Sequence, residues 1–415
     1  MGSDLARGPR QCEPPSADQR HRYGPDVSNQ PEHAGAFRAL AIEAGRRAPL
    51  YRRLADRAAE EPEVCALLSH APPTQRRPVL LMAAVHHLVL GDPTSDLARH
   101  FPSITGHPTA TDPESDFVEF ALGRREEIGE LIATRSTQTN EVGRSSLLLH
   151  ALWELAAEGV ERVGLLDVGC SAGLNLLLDR FSHRFVCDTG DRTGQVGSRT
   201  AWPPVDWPPA VSTRGVTPGD AVDLECSLRR LPRPVPHDVV IVERLGIDPA
   251  PIDLSDPERT RWLEACVWPD QLDRLARLRG ALSIARSTPP PVRRADAVSG
   301  LVAGLEAVGA DQSVLPVVVN TWVLAYLTES ERREYARLID GIGRHRDLTW
   351  IYAEAPDDCA GLDRPSDPAV GRLTCVMQVD WRDGQRTTRF RGPSHPHGYW
   401  MHRPVDASVI SADAL

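Results

Sequence analysis

The stretch Val163-Gly164-Leu165-Leu166-Asp167-Val168-Gly169-Cys170-Ser171-Ala172-Gly173-Leu174-Asn175 decides how the chain is read. Val163 to Val168 is an apolar run that suits a buried parallel strand and is short for a helix. It runs into a glycine-punctuated loop, and Leu174-Asn175-Leu176-Leu177-Leu178 reads as the start of a helix. Strand, tight loop and helix N-terminus together form an anion and nucleotide cradle, because glycine admits a ligand to the backbone and a helix end offers free N–H groups.

Two chemistries share that row. It differs from the dinucleotide fingerprint Gly-x-Gly-x-x-Gly, since Ser171 stands where a second glycine is expected. Gly169 to Gly173 also satisfies Gly-x-Ser-x-Gly, the nucleophile elbow of α/β-hydrolases, likewise a strand–turn–helix.

Composition removes other classes. A chain of 415 residues, 41% hydrophobic and 25% charged, has room for two or three globular domains. A net charge of -10 argues against a protein that grips nucleic acid through its overall field. No apolar run reaches the ~18–20 residues of a membrane span, and the polar N-terminus lacks a signal-peptide core. The sequence therefore predicts a cytoplasmic protein with a small-molecule partner, without nucleic acid or membrane. Eight scattered cysteines with no Cys-x-x-Cys pair predict reduced thiols and no metal site. All 47 basic residues are arginine, which excludes lysine-dependent Schiff bases and the phosphate-loop lysine of NTPases.

Along the chain, residues 1–33 read as a disordered tail and 34–137 as a helical N-terminal domain. Val79 to Leu90 is apolar almost all round and predicts a buried helix, its His86 and His87 reading as polar tips at a domain edge rather than metal ligands. Asp112-Pro113 predicts the start of a helix running through Ile132. Thr139 or Asn140 is the expected N-cap of a helix over Val142 to Glu158. Residues 138–403 read as the main α/β domain, with an insertion over 182–237 in which Ala221 to Leu228 is an edge strand, and 404–415 as a tail. Strands ending at Asp248, Asp296, Asn320 and Glu354 alternate with helices, and Arg382-Asp383-Gly384 joins a closing hairpin. The fold class is thus an α/β open sheet, which the resemblance given next implies to be doubly wound, mostly parallel and seven-stranded.

The order of a glycine loop after the first strand, an acid after the second, Asp-Ala after the third, a polar residue after the fourth and a hairpin last resembles class I S-adenosyl-L-methionine (AdoMet) methyltransferases. Over roughly residues 36 to 400 the chain also resembles an uncharacterised bacterial family known only as a domain of unknown function. Gln138-Thr139-Asn140-Glu141, the glycine row, Trp268-Pro269-Asp270-Gln271, Val323-Leu324-Ala325-Tyr326-Leu327 and His395-Pro396-His397-Gly398 carry that likeness. Asn320 stands where a histidine is expected in relatives.

The resemblance implies a methyltransferase with AdoMet as cofactor. Gly169, Ser171 and Gly173 would meet its methionine portion, with Asp167, Cys170 and Asn175 in the same loop. Asp248 would accept from the ribose hydroxyls; its distance from the loop far exceeds the ~20 residues of a dinucleotide fold, and Asp188 is the alternative at that spacing. Asp296 and Ala297 would sit against adenine. Asn140, Glu141, Asn320, Trp322 and Tyr326 would line the reacting side, where a ring face steadies a sulfonium by about 0.5–2 kcal/mol. The same pocket also suits aminocarboxypropyl transfer or intramolecular displacement. The hydrolase alternative needs Ser171 as nucleophile with His395 or His397 as its base.

Overall fold

The computed structural model describes residues 33–107, 112–138, 140–188, 205–207, 222–231, 239–404 and 407–411. The expected tail before His33, the possible cap Thr139 and most of the proline-rich stretch around Trp202 lie outside them.

Helices come first along the chain: α1 (Ala34–Ala44), α2 (Pro49–Glu60), α3 (Pro62–Leu67), α4 (Pro78–Gly91), α5 (Pro102–Thr105), α6 (Glu114–Gly123) and α7 (Arg125–Thr134). Proline at the first turn starts α2, α3, α4 and α5, where a missing N–H costs nothing. As its sequence predicts, α4 is buried on every side from Leu80 to His87. The single helix expected after Asp112-Pro113 is broken at Arg124, just beyond Gly123, into α6 and α7. Phe37, Leu54, Leu81, Phe117 and Ile128 share one core, which also takes in Trp262.

Five further helices follow: α8 (Ser145–Ala157), α9 (Pro257–Ala265), α10 (Leu272–Ser287), α11 (Ala297–Val308) and α12 (Glu329–Gly343). The Trp268-Pro269-Asp270-Gln271 stretch bonds to the first group, since the Asp270 carboxylate accepts the Leu50 and Tyr51 N–H groups at 2.9 and 3.3 Å. His86 bridges Ala265 O and Ser103 Oγ, and His87 meets Glu258.

The strands are β1 (Arg162–Val168), β2 (Ser182–Asp188), β3 (Val205–Trp207), β4 (Asp223–Arg229), β5 (Val240–Asp248), β6 (Val292–Arg294), β7 (Leu315–Thr321), β8 (Leu348–Glu354), β9 (Arg364–Pro365), β10 (Thr374–Arg382), β11 (Gln385–Ser394), β12 (Trp400–His402) and β13 (Val409–Ile410). Eleven of them form one mostly parallel sheet in the order β3-β2-β4-β12-β11-β10-β8-β7-β1-β5-β6, and β13 pairs with β9 alone. The protein is therefore a mixed α/β molecule. Side chains of β1 alternate between its faces: Val163 and Leu165 pack with Leu148 and Trp153 of α8, whereas Leu166 and Val168 pack with Leu305 and Tyr335 of α11 and α12. Each fully buried leucine contributes roughly 1.5–3 kcal/mol.

Three expectations change. Among the described residues the sheet has eleven strands rather than seven, because β2, β3, β4 and β12 extend it. The strand expected at an edge from Ala221 to Leu228 is β4, paired on both sides by β2 and β12. The helix expected after the glycine loop is a 3₁₀ turn, Leu174–Arg180, kinked at Leu177. Leu174 to Leu178 are all buried, so the segment has no solvent face, and Arg244 Nη1 takes the Leu176 carbonyl at 2.6 Å, an acceptor that a continuing helix would use. The hairpin forms as read: Asp383 and Gly384 both adopt positive φ, 50° and 74°, the geometry of a type I′ turn.

Candidate functional site

β1 lies between β5 and β7, so the chain leaves it toward both sides and a crevice opens at the C-terminal strand ends, the usual ligand position in such sheets. The loop after β1 has left-handed backbone at Gly169, Ser171 and Gly173, with φ of 79°, 54° and 72°. A side chain at Gly169 would collide with Val323, so that position is closed to anything larger. Ser171 carries the same backbone at a cost of roughly 1–2 kcal/mol. Its N–H donates to Asp248 Oδ2 at 2.9 Å, and Asp248 Oδ1 accepts the Ala250 N–H at 2.8 Å, which offsets the strain. Asp248 thus links the ends of β5 and β1 while keeping lone pairs to spare.

Several buried polar groups around this crevice lack partners. The Asp167 carboxylate, on a residue only 2% exposed, has no hydrogen-bond partner among the described residues. Burial and the nearby Asp248 push it up to about 7, against the pull of Arg144. Glu354, at the end of β8, accepts the Val323 and Leu324 N–H groups through Oε1, while its Oε2 is buried with no donor. Burial raises it as well, to about 7. Asn140 Nδ2 is also buried and has no partner among the described residues.

Arg144 ties the surroundings together. Its Nη1 donates to Thr321 O at 3.0 Å, its Nε to Pro396 O at 2.9 Å, and its guanidinium lies 5.7 Å from the Trp322 ring centre. Burial lowers it to about 10, and Glu141 opposes that loss of charge. Burial also works against a charge on Glu141, but Arg274, bonded at 2.6 Å, and His397 overcome it and hold the carboxyl well below its ordinary range. Glu141 Oε1 accepts the Gly143 N–H, so Glu141, rather than Asn140, caps the turn leading into α8; the other expected cap, Thr139, lies outside the described residues.

The crevice brings together Asp167, the Gly169–Gly173 loop and Asp248, with the segment from Asn140 and Glu141 tied to it by Arg144 and Gln138. Asn175 accepts from Ser145 and fastens the loop to α8. Cys170 is buried against Gly246, and burial raises its thiol well above the ordinary value. Trp322 has φ 59° and donates its indole N–H to Thr374. Tyr326 is 54% exposed, its ring under Arg77.

Other expected residues stand elsewhere or are occupied. Asn320 is fully buried; its Oδ1 accepts from Tyr335 and Trp350, and its Nδ2 donates to Val168 O, so it joins β7 to β1 inside the core. Asp296 is exposed and caps α11 through the Val298 and Ser299 N–H groups, leaving Ala297 buried in the first turn. Asp188 ends β2, near the opposite edge of the sheet from β1. The Ser171 hydroxyl donates to Gln138 Oε1 at 2.6 Å rather than to a histidine.

Sequence reasoning gave no site role to Arg274 or Glu354, and took Gln138 and Arg144 only as members of a polar stretch over the cradle. Glu354 carried the signal used for Asp248, an acid closing an apolar strand; the arginines carried none, because a buried arginine reads like a surface one.

A cavity of about 670 Å³ adjoins the glycine loop at Ala172, between the Pro251–Ser255 turn and the Pro289–Val292 segment. A larger one, about 820 Å³, opens at the N-terminal strand ends beside Arg162, Arg346 and Arg382, away from the loop. Among the described residues, no group of three metal-ligating side chains occurs, and no helix is long and apolar enough to cross a membrane.

Residues 34–403 match a family described as an uncharacterized protein conserved in bacteria, DUF2332. The chain belongs to that family. No curated protein matches it, and neither does any solved structure.

Proposed function

We propose that this member of the family binds AdoMet at the C-terminal ends of β1, β5 and β7 and transfers its methyl group to a small molecule. One observation carries the reading: Asp167, a buried carboxylate that hydrogen-bonds none of the described residues, stands at the switch point with Arg144 near enough to act on it. Arg144 bonds through Nε and Nη1, and its Nη2 bonds none of the described residues. A buried acid and a buried guanidinium with spare capacity suit the ammonium and carboxylate of an amino-acid moiety, and methionine supplies that moiety in AdoMet.

Further features support it. Asp248 has lone pairs left for ribose hydroxyls, and the cavity at Ala172, Ile252 and Val292 suits a flat base. Five strands parallel in a row, β6-β5-β1-β7-β8, followed by the β10–β11 hairpin, agree with a seven-stranded methyltransferase-like core. Two parts of the original reading fall away. The 3₁₀ turn after Gly173 supplies no helix dipole, so the charge must come from side chains. Asp296 is committed to a cap, so adenine would rest on apolar surface.

When bound, AdoMet supplies the electrophilic methyl group. The protein's share is orientation and exclusion of water, which for well-placed reactants is worth ~7–11 kcal/mol. Trp322, locked by Thr374 and faced by Arg144, and the Glu354-bonded turn at Val323 and Leu324 would form the rigid wall opposite Asp167. Titration calorimetry of the purified chain with AdoMet tests the reading. Binding that Asp167→Asn or Arg144→Gln weakens at least tenfold supports it; no binding sinks it. S-adenosylhomocysteine as product marks methyl transfer, whereas methylthioadenosine marks the displacement chemistries.

A further inference from the structure

Beside the crevice, the segment from Glu141 to Arg144 crosses the segment from His395 to Gly398 at van der Waals contact. A side chain on Gly143 would strike the His397 carbonyl, and one on Gly398, φ 71°, would strike the Gly143 carbonyl. Arg144 pins the same loop through Pro396 O and reaches the end of β7 through Thr321 O. The imidazole of His397 is therefore held in place, close to the strand ends where the donor is proposed to bind.

Its two nitrogens differ. Nδ1 is buried and lies 3.1 Å from Glu141 Oε2, within ion-pair reach but without hydrogen-bond geometry. Nε2 bonds none of the described residues, and the side chain is 22% exposed. Glu141 is fixed in turn by Arg274 of α10 and by the Gly143 N–H. The His397 N–H donates to His395 Nδ1 at 3.1 Å, and the His395 and Tyr399 rings complete its surroundings. A carboxylate behind one ring nitrogen and an open lone pair on the other is the arrangement of a general base.

We propose that His397 removes a proton from the methyl acceptor, that Glu141 positions it, and that the acceptor is accordingly an O–H or N–H nucleophile. This rests on the AdoMet reading above. As the acceptor atom bonds to the methyl carbon, the carbon–sulfur bond of the donor breaks with its electron pair staying on sulfur. The acceptor's O–H or N–H bond also breaks, its electrons remaining on the acceptor and its proton passing to Nε2. Burial lowers the imidazole, with Arg274 and Arg144 acting in the same direction and Glu141 against them, so the ring is neutral and able to accept at pH 7.

Two measurements test this. Long-range proton–nitrogen NMR of the free protein, with the His397 signal identified by its loss in His397→Gln, should show Nδ1 protonated and Nε2 bare; a proton on Nε2 overturns the inference. Second, S-adenosylhomocysteine release is followed with catechol, phenol and benzylamine as protic probes and dimethyl sulfide as an aprotic one. His397→Gln should slow the protic reactions by about 10²–10⁴ while AdoMet affinity by calorimetry stays within twofold. Turnover within threefold of the unaltered protein, turnover of the sulfide alone, or of no protic probe, overturns it. Failure of the unaltered protein to bind AdoMet overturns the cofactor reading and this inference together; retained binding with unchanged turnover in the variant overturns this inference alone.

Discussion

Replacing Asp167 by Asn keeps the shape of the side chain and removes its charge, so the effect isolates the electrostatic cost of the site. Burial, then Asp248, raise the carboxyl from its ordinary 3.8 to about 7. The sign follows from linkage. A folded-state value above the unfolded one means that the native protein binds the proton more tightly, so stability is fully present below about pH 4 and is lost as pH rises toward 7. A shift of about three units at 1.36 kcal/mol each puts the loss near 4 kcal/mol, an upper figure for a site that can relax. Urea unfolding at pH 4.5 and pH 8 reads it directly. Asp167→Asn should exceed the unaltered protein by no more than about 1 kcal/mol at pH 4.5 and by about 2–4 kcal/mol at pH 8. Affinity for AdoMet should fall in the unaltered protein by up to roughly tenfold per pH unit below 7, as the carboxylate is neutralised, and that pH dependence should vanish in the variant. Equal stability of the two proteins at pH 8 would falsify the picture of an unpartnered buried acid held for a cationic ligand.

Other perturbations probe the surrounding framework. Asn320→Ala strands the Trp350 and Tyr335 donors and the Val168 carbonyl, and should cost about 2–4 kcal/mol in urea unfolding; a loss below about 1 kcal/mol contradicts its place in the core. Arg274→Ala leaves Glu141 buried with much of its counter-charge gone and should destabilise by about 3–5 kcal/mol at pH 7, less at pH values low enough to protonate the acid. Asp296→Ala should lose about 1 kcal/mol of stability through the cap of α11 and leave AdoMet affinity unchanged; a tenfold weaker affinity would restore it to the site. A fluorophosphonate probe should leave Ser171 unlabelled, because its hydroxyl faces an amide oxygen with no base behind it; labelling detected by mass spectrometry would favour the hydrolase chemistry.

Local patterns in the sequence determined much of this molecule. The apolar run at Val163–Val168 made a central strand, since a segment without a polar face must be covered on both sides. Asp-Gly made a hairpin turn, and Asp256-Pro257 and Asp296 made helix starts, because capping and left-handed backbone are decided within four residues. Tertiary structure alone decided the rest. Whether Leu174–Leu178 wound into a helix depended on Arg244, far along the chain, competing for a carbonyl. Whether Asn320 met a ligand or the core depended on Tyr335 and Trp350 reaching it first. Which buried carboxyl groups kept an oxygen that no described residue bonds, as Asp167 does and as Glu354 does at Oε2, depended on how many donors the fold brought to each. Hydrogen-bond supply and burial are properties of the assembled neighbourhood, and a linear chain does not contain them.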